Sequence, residues 1–108
     1  MTRAELIAYC LSYSDIVEDY PFGDNKSTIM RHGKSRKWFA LIIELDGRLA
    51  INLKCEPMQA DFYRHVYCDV IPAWHMSKTH WNTVFINGDV PQNELFAMIN
   101  QSYLLTIK

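Results

Sequence analysis

Long apolar runs are missing from this 108-residue chain. No window reaches the ~18 consecutive apolar residues that crossing a bilayer takes, so no membrane partner is expected. Turn-forming residues are also scarce. Four Gly and four Pro against 49% hydrophobic residues exclude a disordered or collagen-like chain and leave one globular domain spanning residues 1–108. Cysteine is rare and odd in number: Cys10, Cys55 and Cys68 form no CxxC pair, unlike the even, tightly spaced set of a secreted disulfide framework. Glu5 interrupts the N-terminus before any apolar core can follow Arg3, so a signal peptide is not expected either. Reduced thiols and no leader point to the cytoplasm. Finally, neither sign of charge dominates. Eleven Lys and Arg against twelve Asp and Glu give a net charge of −1, so any nucleic-acid binding must rest on local clustering.

What is present alternates between helical and strand patterns. Thr2 and Glu5 make a capping box, and Leu6, Ile7, Cys10 and Leu11 repeat at helical spacing, which predicts an amphipathic helix over 3–13. An acidic connection over 15–24 leads to a short strand at 28–31, a basic turn at 32–36 and a strand over 37–45. Asp46-Gly47 supplies the positive φ angles of a type I′ turn, so 48–54 should return antiparallel, with Ile42 facing Ile51 and Ala40 facing Leu53. That register puts Trp38, Ala40, Ile42, Leu49, Ile51 and Leu53 on one face, assigned to the core. Phe39, Leu41 and Ile43 share the other with Ala50, Asn52 and Lys54, a half-apolar contact surface. Glu56-Pro57 opens a second helix lined on one side by Met58, Phe62, His65 and Val66. Val70-Ile71-Pro72, a strand at 82–86, an Asn87-Gly88 turn and a helix from Pro91 complete the chain. The fold class is α+β, a two-layer α/β sandwich in the order α-β-β-β-α-β-β-α, with an antiparallel sheet and helices on one face.

The residues that carry chemistry fall into two groups. Lys26, Arg31, Lys34, Arg36 and Lys37 form a run of five cations without an intervening acid, beside Trp38 and Phe39. Such a run suits phosphate, although it also suits an ordinary solvated turn neutralised by the acidic segment before it. The stretch from Trp74 to Trp81 packs two Trp, two His and Lys78 into eight residues, as either a structural anchor or the wall of a groove. His75 and His80 could line a small-ligand pocket near Trp81. A metal site is not expected: His75 and His80 are five apart, off one helical face, and Cys55 and Cys68 thirteen apart. No nucleophile elbow, dinucleotide fingerprint or P-loop is present, so neither an enzyme nor a cofactor is expected.

Five segments together resemble a known family. Tyr20-Pro21-Phe22-Gly23, Lys37-Trp38-Phe39-Ala40, Leu53-Lys54-Cys55-Glu56-Pro57, the block from Pro72-Ala73-Trp74-His75-Met76 through Ser77-Lys78-Thr79-His80-Trp81-Asn82-Thr83-Val84, and Ser102-Tyr103 are similar, in order, to the MmcQ/YjbR family of small bacterial proteins. Trp74 stands where a Tyr is common. The resemblance implies a CyaY-like or secretion-chaperone-like fold, and it implies DNA as ligand with no catalytic residues. On that reading Lys26, Arg31, Lys34, Arg36 and Lys37 contact phosphates, Lys54 and Lys78 extend the positive rim, and Phe39, Trp74 or Trp81 supply stacking or shape contacts. The alternative is a protein-interaction module, a homodimer or chaperone-like partner binder, using the half-apolar sheet face.

Overall fold

The computed structural model describes residues 1–24, 26–73 and 76–108. Its elements are α1 (Arg3–Leu11), β1 (Ile16–Asp19), β2 (Thr28–His32), β3 (Trp38–Leu45), β4 (Arg48–Lys54), α2 (Pro57–Val66), β5 (Val70–Pro72), β6 (Trp81–Phe85) and α3 (Gln92–Thr106). The strands form one sheet in the order β1-β2-β3-β4-β6-β5, every neighbouring pair antiparallel. All three helices cover the same face, α1 over β1, α3 over β3 and β4, and α2 beside β5. The fold class is therefore the expected two-layer α+β sandwich.

Local chemistry explains most of the boundaries. Thr2 accepts from the Glu5 amide at 3.2 Å while Glu5 accepts from the Thr2 amide at 2.8 Å, the reciprocal cap that starts α1. At the β3–β4 turn, Asp46 and Gly47 have φ of 53° and 75°, and the register pairs Ala40 with Leu53 and Ile42 with Ile51 as expected. One strand goes beyond the sequence expectation. Residues 16–19, expected as part of an acidic connection, pair with β2 as a short edge strand, held by buried Ile16 and with Val17 and Glu18 exposed. Short, charged edges of this kind discourage pairing with other chains.

The face assignment needs one correction. Met30 pairs with Ala40 but Arg31 pairs with Trp38, so Phe39 has no opposite residue in β2. This is a β-bulge, and it breaks the period-2 alternation at that point. Phe39 turns into the core under α3, where its ring lies 5.4 Å from Tyr103 and 5.5 Å from Tyr13. Trp38 turns out to the opposite face. Phe39 is fully buried, so it cannot serve as the exposed aromatic contact expected from simple alternation. The rest of the alternation holds: Ala40, Ile42, Ile51 and Leu53 face the helices with Met30 and Val84, while Leu41, Ile43 and Ala50 lie on the second face with Ile29 and Phe85.

A bulge leaves backbone groups without ladder partners, and burial makes them expensive to leave so. Where the bulged β3 then parts from β4, Ser102 of α3 supplies the missing partners. Its hydroxyl donates to the Phe39 carbonyl at 2.7 Å and accepts from the Lys54 amide at 2.9 Å, bridging β3 and β4 where they part. Beside it Thr106 donates to the Ser102 carbonyl and meets His32 Nε2 at 2.7 Å, and the Tyr103 hydroxyl donates to Ser14 O at 2.8 Å. The final helix is thus fastened to β3 and β4 through Ser102, to the end of β2 through Thr106 and His32, and to the segment before β1 through Tyr103. Ser102→Ala should destabilise the fold by about 2 kcal/mol, because two buried backbone groups lose their partner at once. Urea denaturation would show it as a lower midpoint at unchanged slope; an unshifted midpoint would mean the hydroxyl is dispensable.

Candidate nucleic-acid interface

The sheet has a basic end and an acidic end, and the strand directions create them. The β2–β3 turn, the end of β4, the start of β6 and the C-terminus of α3 all lie at one end, since Arg31 pairs with Trp38 and Lys54 with Trp81. Lys34, Arg36, Lys37, Lys54 and Lys78 therefore gather there. Lys26 does not. It precedes β2 at the opposite end and pairs with Glu44 at 3.6 Å. Arg31 is also unavailable as a phosphate clamp. Its Nε donates to Asp19 Oδ2 at 2.7 Å, its Nη1 donates to the Arg36 carbonyl at 3.1 Å, and its guanidinium lies 5.7 Å from the centre of the Trp38 ring. That hydrogen bond holds the Asp19 carboxyl below its ordinary range, so the pair stays ionised. Asp19 also lies 3.9 Å from the Arg36 guanidinium.

The turn itself is tightly built. His32 and Lys37 close it, Arg36 adopts φ of 66°, and Asp15 caps it by accepting from the Gly33 amide at 2.7 Å and the Lys34 amide at 3.1 Å. A side chain at position 33 would run into the Asp15 carboxylate and would have to displace it. Lys37 donates to the backbone oxygen of Lys108. None of Lys34, Lys37, Lys54 and Lys78 has a carboxylate side chain within ion-pairing distance among the described residues.

Between the turn and β6 lies a hollow of about 290 Å³ lined by Lys37, Trp38, Lys54, Met76 and Trp81, with Leu105 and Thr106 behind them. Two indoles and two ammonium groups thus converge on one depression. Trp38 reaches it because the bulge turns it outward. Trp81 is held by Arg64 of α2, a residue that no sequence motif singles out. Arg64 donates to Asn82 Oδ1 at 2.6 Å, to the Trp81 carbonyl at 3.3 Å and to the Lys78 carbonyl, and Asn82 donates to the Ala60 carbonyl at 3.2 Å. The turn that carries Lys78 and His80 is thereby pinned to α2. His80 is exposed, and Trp74 and His75 lie outside the described residues.

Beyond Trp38 the second sheet face carries another depression. Phe22, from the loop before β2, packs edge-on against Trp38 with ring centres 6.2 Å apart. Between them and Met76 a cleft of about 390 Å³ opens over Leu41 and Ile43, rimmed by Asp24 and Glu44. Leu41, Ile43 and Ala50, expected as an open contact surface, are buried within the chain. The exposed apolar residues sit instead on α2. Met58, Phe62 and Val66 face outward while Ala60 and Tyr63 are buried, so the stripe expected from spacing points away from the sheet.

The comparisons with known proteins bear on the family and the fold. The model of the family described as YjbR matches residues 11–105. The chain belongs to the YjbR family. Its relatives in that family include the Escherichia coli (strain K12) protein YjbR, 32% identical over 95% of this chain and 85% of that protein, and YyaQ of Bacillus subtilis (strain 168), 30% identical over 98% of each. A crystal structure of a Pseudomonas syringae protein superposes with a TM-score of 0.90 at 29% identity, covering 98% of this chain and 99% of that one. The Deinococcus radiodurans protein DR2400, of domain DUF419, gives 0.85 at 29% identity over 96% and 77%. In this YjbR chain, residues from all five sequence segments that carry the resemblance surround Trp38: Phe22 touches it, Lys37, Lys54 and Trp81 share its hollow, and Ser102 locks the bulge that orients it.

Among the described residues no helix is long and apolar enough to cross a membrane, and no three His, Cys, Asp or Glu side chains gather as a metal site would require. Burial pushes the Cys10 thiol up to about 12 and the Cys55 thiol up to about 11. His32, 3% exposed beneath α3, has its pKa lowered chiefly by burial, with Asp15 opposing and Lys37 adding to the effect. A depressed folded pKa means the unfolded chain takes the proton first. Stability should therefore be full above the ordinary histidine range and fall as pH drops below about 6.5. Denaturation across that window should show the decline, and His32→Gln should flatten it; an identical slope in the variant would assign the titration elsewhere.

Proposed function

We propose that this YjbR-family chain is a nucleic-acid-binding protein that takes a single strand at its basic end rather than a duplex along its charge run. The observation that carries this reading is the hollow in which Trp38 and Trp81 meet Lys37 and Lys54. Aromatic rings offer a stacking surface that any base can use, and flanking ammonium groups track the phosphates on either side. A duplex keeps its bases stacked inside and would leave the indoles idle. Lys34 and Lys78 extend the positive track, with Arg36 at its edge beside Asp19, while Arg31, hydrogen-bonded to Asp19, and Lys26, at the opposite end beside Glu44, do not join it. The role is binding rather than catalysis. The buried thiols are held protonated, which is the opposite of what a nucleophile needs. The alternative, a protein contact through the second sheet face, has less to support it, because Leu41, Ile43 and Ala50 are already covered within the chain.

Fluorescence anisotropy with a labelled oligothymidylate and a labelled duplex, each titrated over a range of salt, tests the proposal. Single-strand binding should weaken with a log–log salt slope of about −3, as four or five phosphate contacts give. Trp81→Ala should lose about 1–3 kcal/mol. Lys37→Glu with Lys54→Glu should remove binding and flatten the slope, whereas Lys26→Glu at the opposite end should change little. Preference for the duplex, or equal losses from Lys26→Glu and Lys54→Glu, would contradict the proposed site.

A further inference from the structure

The cleft on the other side of Trp38 has a chemistry opposite to that of the basic hollow. Its floor is Leu41 and Ile43, its walls are the rings of Phe22 and Trp38, and the ionisable residues that line it among the described ones, Asp24 and Glu44, are both acids. At about 390 Å³ it falls within the size range of small-molecule sites, which are mostly apolar with a few placed polar groups. We propose that this cleft binds a small organic cation, an ammonium or guanidinium group carried on an apolar stem. The stem would lie on Leu41 and Ile43 between the two rings, and the charged head would reach the carboxylates at the rim.

Three features favour a cation over other occupants. Asp24 is fixed in place: its Oδ1 accepts from the Lys26 and Ser27 amides at 3.0 and 2.9 Å, and its Oδ2 accepts from the Ser27 hydroxyl at 2.8 Å. Those hydrogen bonds push its pKa down to about 2, so it is ionised at any working pH. Glu44 is answered from outside the cleft by Lys26, 3.6 Å away with both side chains well exposed. Such a pair is weak and easily exchanged, so an incoming ammonium can replace Lys26 as the partner of Glu44. Phosphate or carboxylate ligands, by contrast, would meet two like charges. The acids also keep a nucleic-acid strand on the far side of Trp38, so this site stands apart from the one at the basic end.

The test is a titration of the ¹⁵N-labelled protein, followed by NMR, with butyl-, hexyl- and octylammonium and with hexanoate and hexanol as matched anionic and neutral probes. Hexylammonium should saturate with a Kd of about 1 mM or tighter. Affinity should rise about two- to fourfold with each added methylene as more stem is buried. Hexanoate and hexanol should bind at least ~10-fold more weakly if the rim charges select the ligand. Glu44→Gln should weaken hexylammonium about threefold or more, and Lys26→Ala should tighten it by removing the internal competitor. Leu45→Trp, which fills the mouth of the cleft, should abolish binding while the amide spectrum elsewhere stays in place. Equal affinity for hexanoate, indifference to Glu44→Gln and Lys26→Ala, or shifts confined to residues outside the cleft would overturn the proposal.

Discussion

The extra residue at Phe39 is the constraint from which the working surface follows. A regular β3 would bury Trp38 and present Phe39. With the bulge, Phe39 fills the space beneath α3 among Tyr13, His32 and Tyr103, and Trp38 stands on the opposite face. The irregularity persists because α3 supplies what the ladder lacks, a hydroxyl at Ser102 that serves Phe39 and Lys54 together. Bulges next to functional sites re-aim side chains in this way. Here one backbone irregularity decides which aromatic joins the core and which becomes the divider between two depressions of opposite charge.

Charge placement explains how a chain of net charge −1 can gather a cluster of ammonium groups at one end. Alternating strand directions put Lys34, Lys37, Lys54 and Lys78 at one end and Asp24, Glu44, Asp69 and Asp89 towards the other. Within the basic end, Asp19 takes up Arg31 and sits close to Arg36, so the lysines carry most of the accessible positive charge. Across Trp38 the sign reverses at Asp24 and Glu44. A neutral average therefore conceals two local fields, each backed by an aromatic wall.

Much of the fold was legible from the sequence because its signals were local. The Thr2–Glu5 box, the Asp46-Gly47 turn and Pro57 at the head of α2 each act within a few residues, and each appears where expected. The β3–β4 register followed from the turn alone. What escaped depends on partners far away in sequence. The bulge becomes visible only when β2 pairs with β3 and Ser102 arrives from α3. Edge strand β1 is four residues with one buried anchor, too short for a periodic signal. The α2 stripe of Met58, Phe62 and Val66 does lie on one side, but spacing alone does not say which side packs, and the helix turns Ala60 and Tyr63 inward instead. The site was half legible: Lys37, Lys54 and Trp81 do come together, while Lys26 and Arg31 read as one run with them, yet folding puts Lys26 at the opposite end and engages Arg31 with Asp19. Arg64, which anchors the turn of Lys78 and His80, gave no sign of its role, since an arginine on a helix shows nothing of its tertiary partners.

The most direct test of this account is to map an oligothymidylate onto the ¹⁵N-labelled protein by NMR at low salt. The account predicts that the indole N–H signals of Trp38 and Trp81 move together with the amides of residues 34–37 and 54, and that added salt reverses the shifts. Shifts clustered on α2 or around Asp24 and Glu44, or no shifts at either indole, would contradict it.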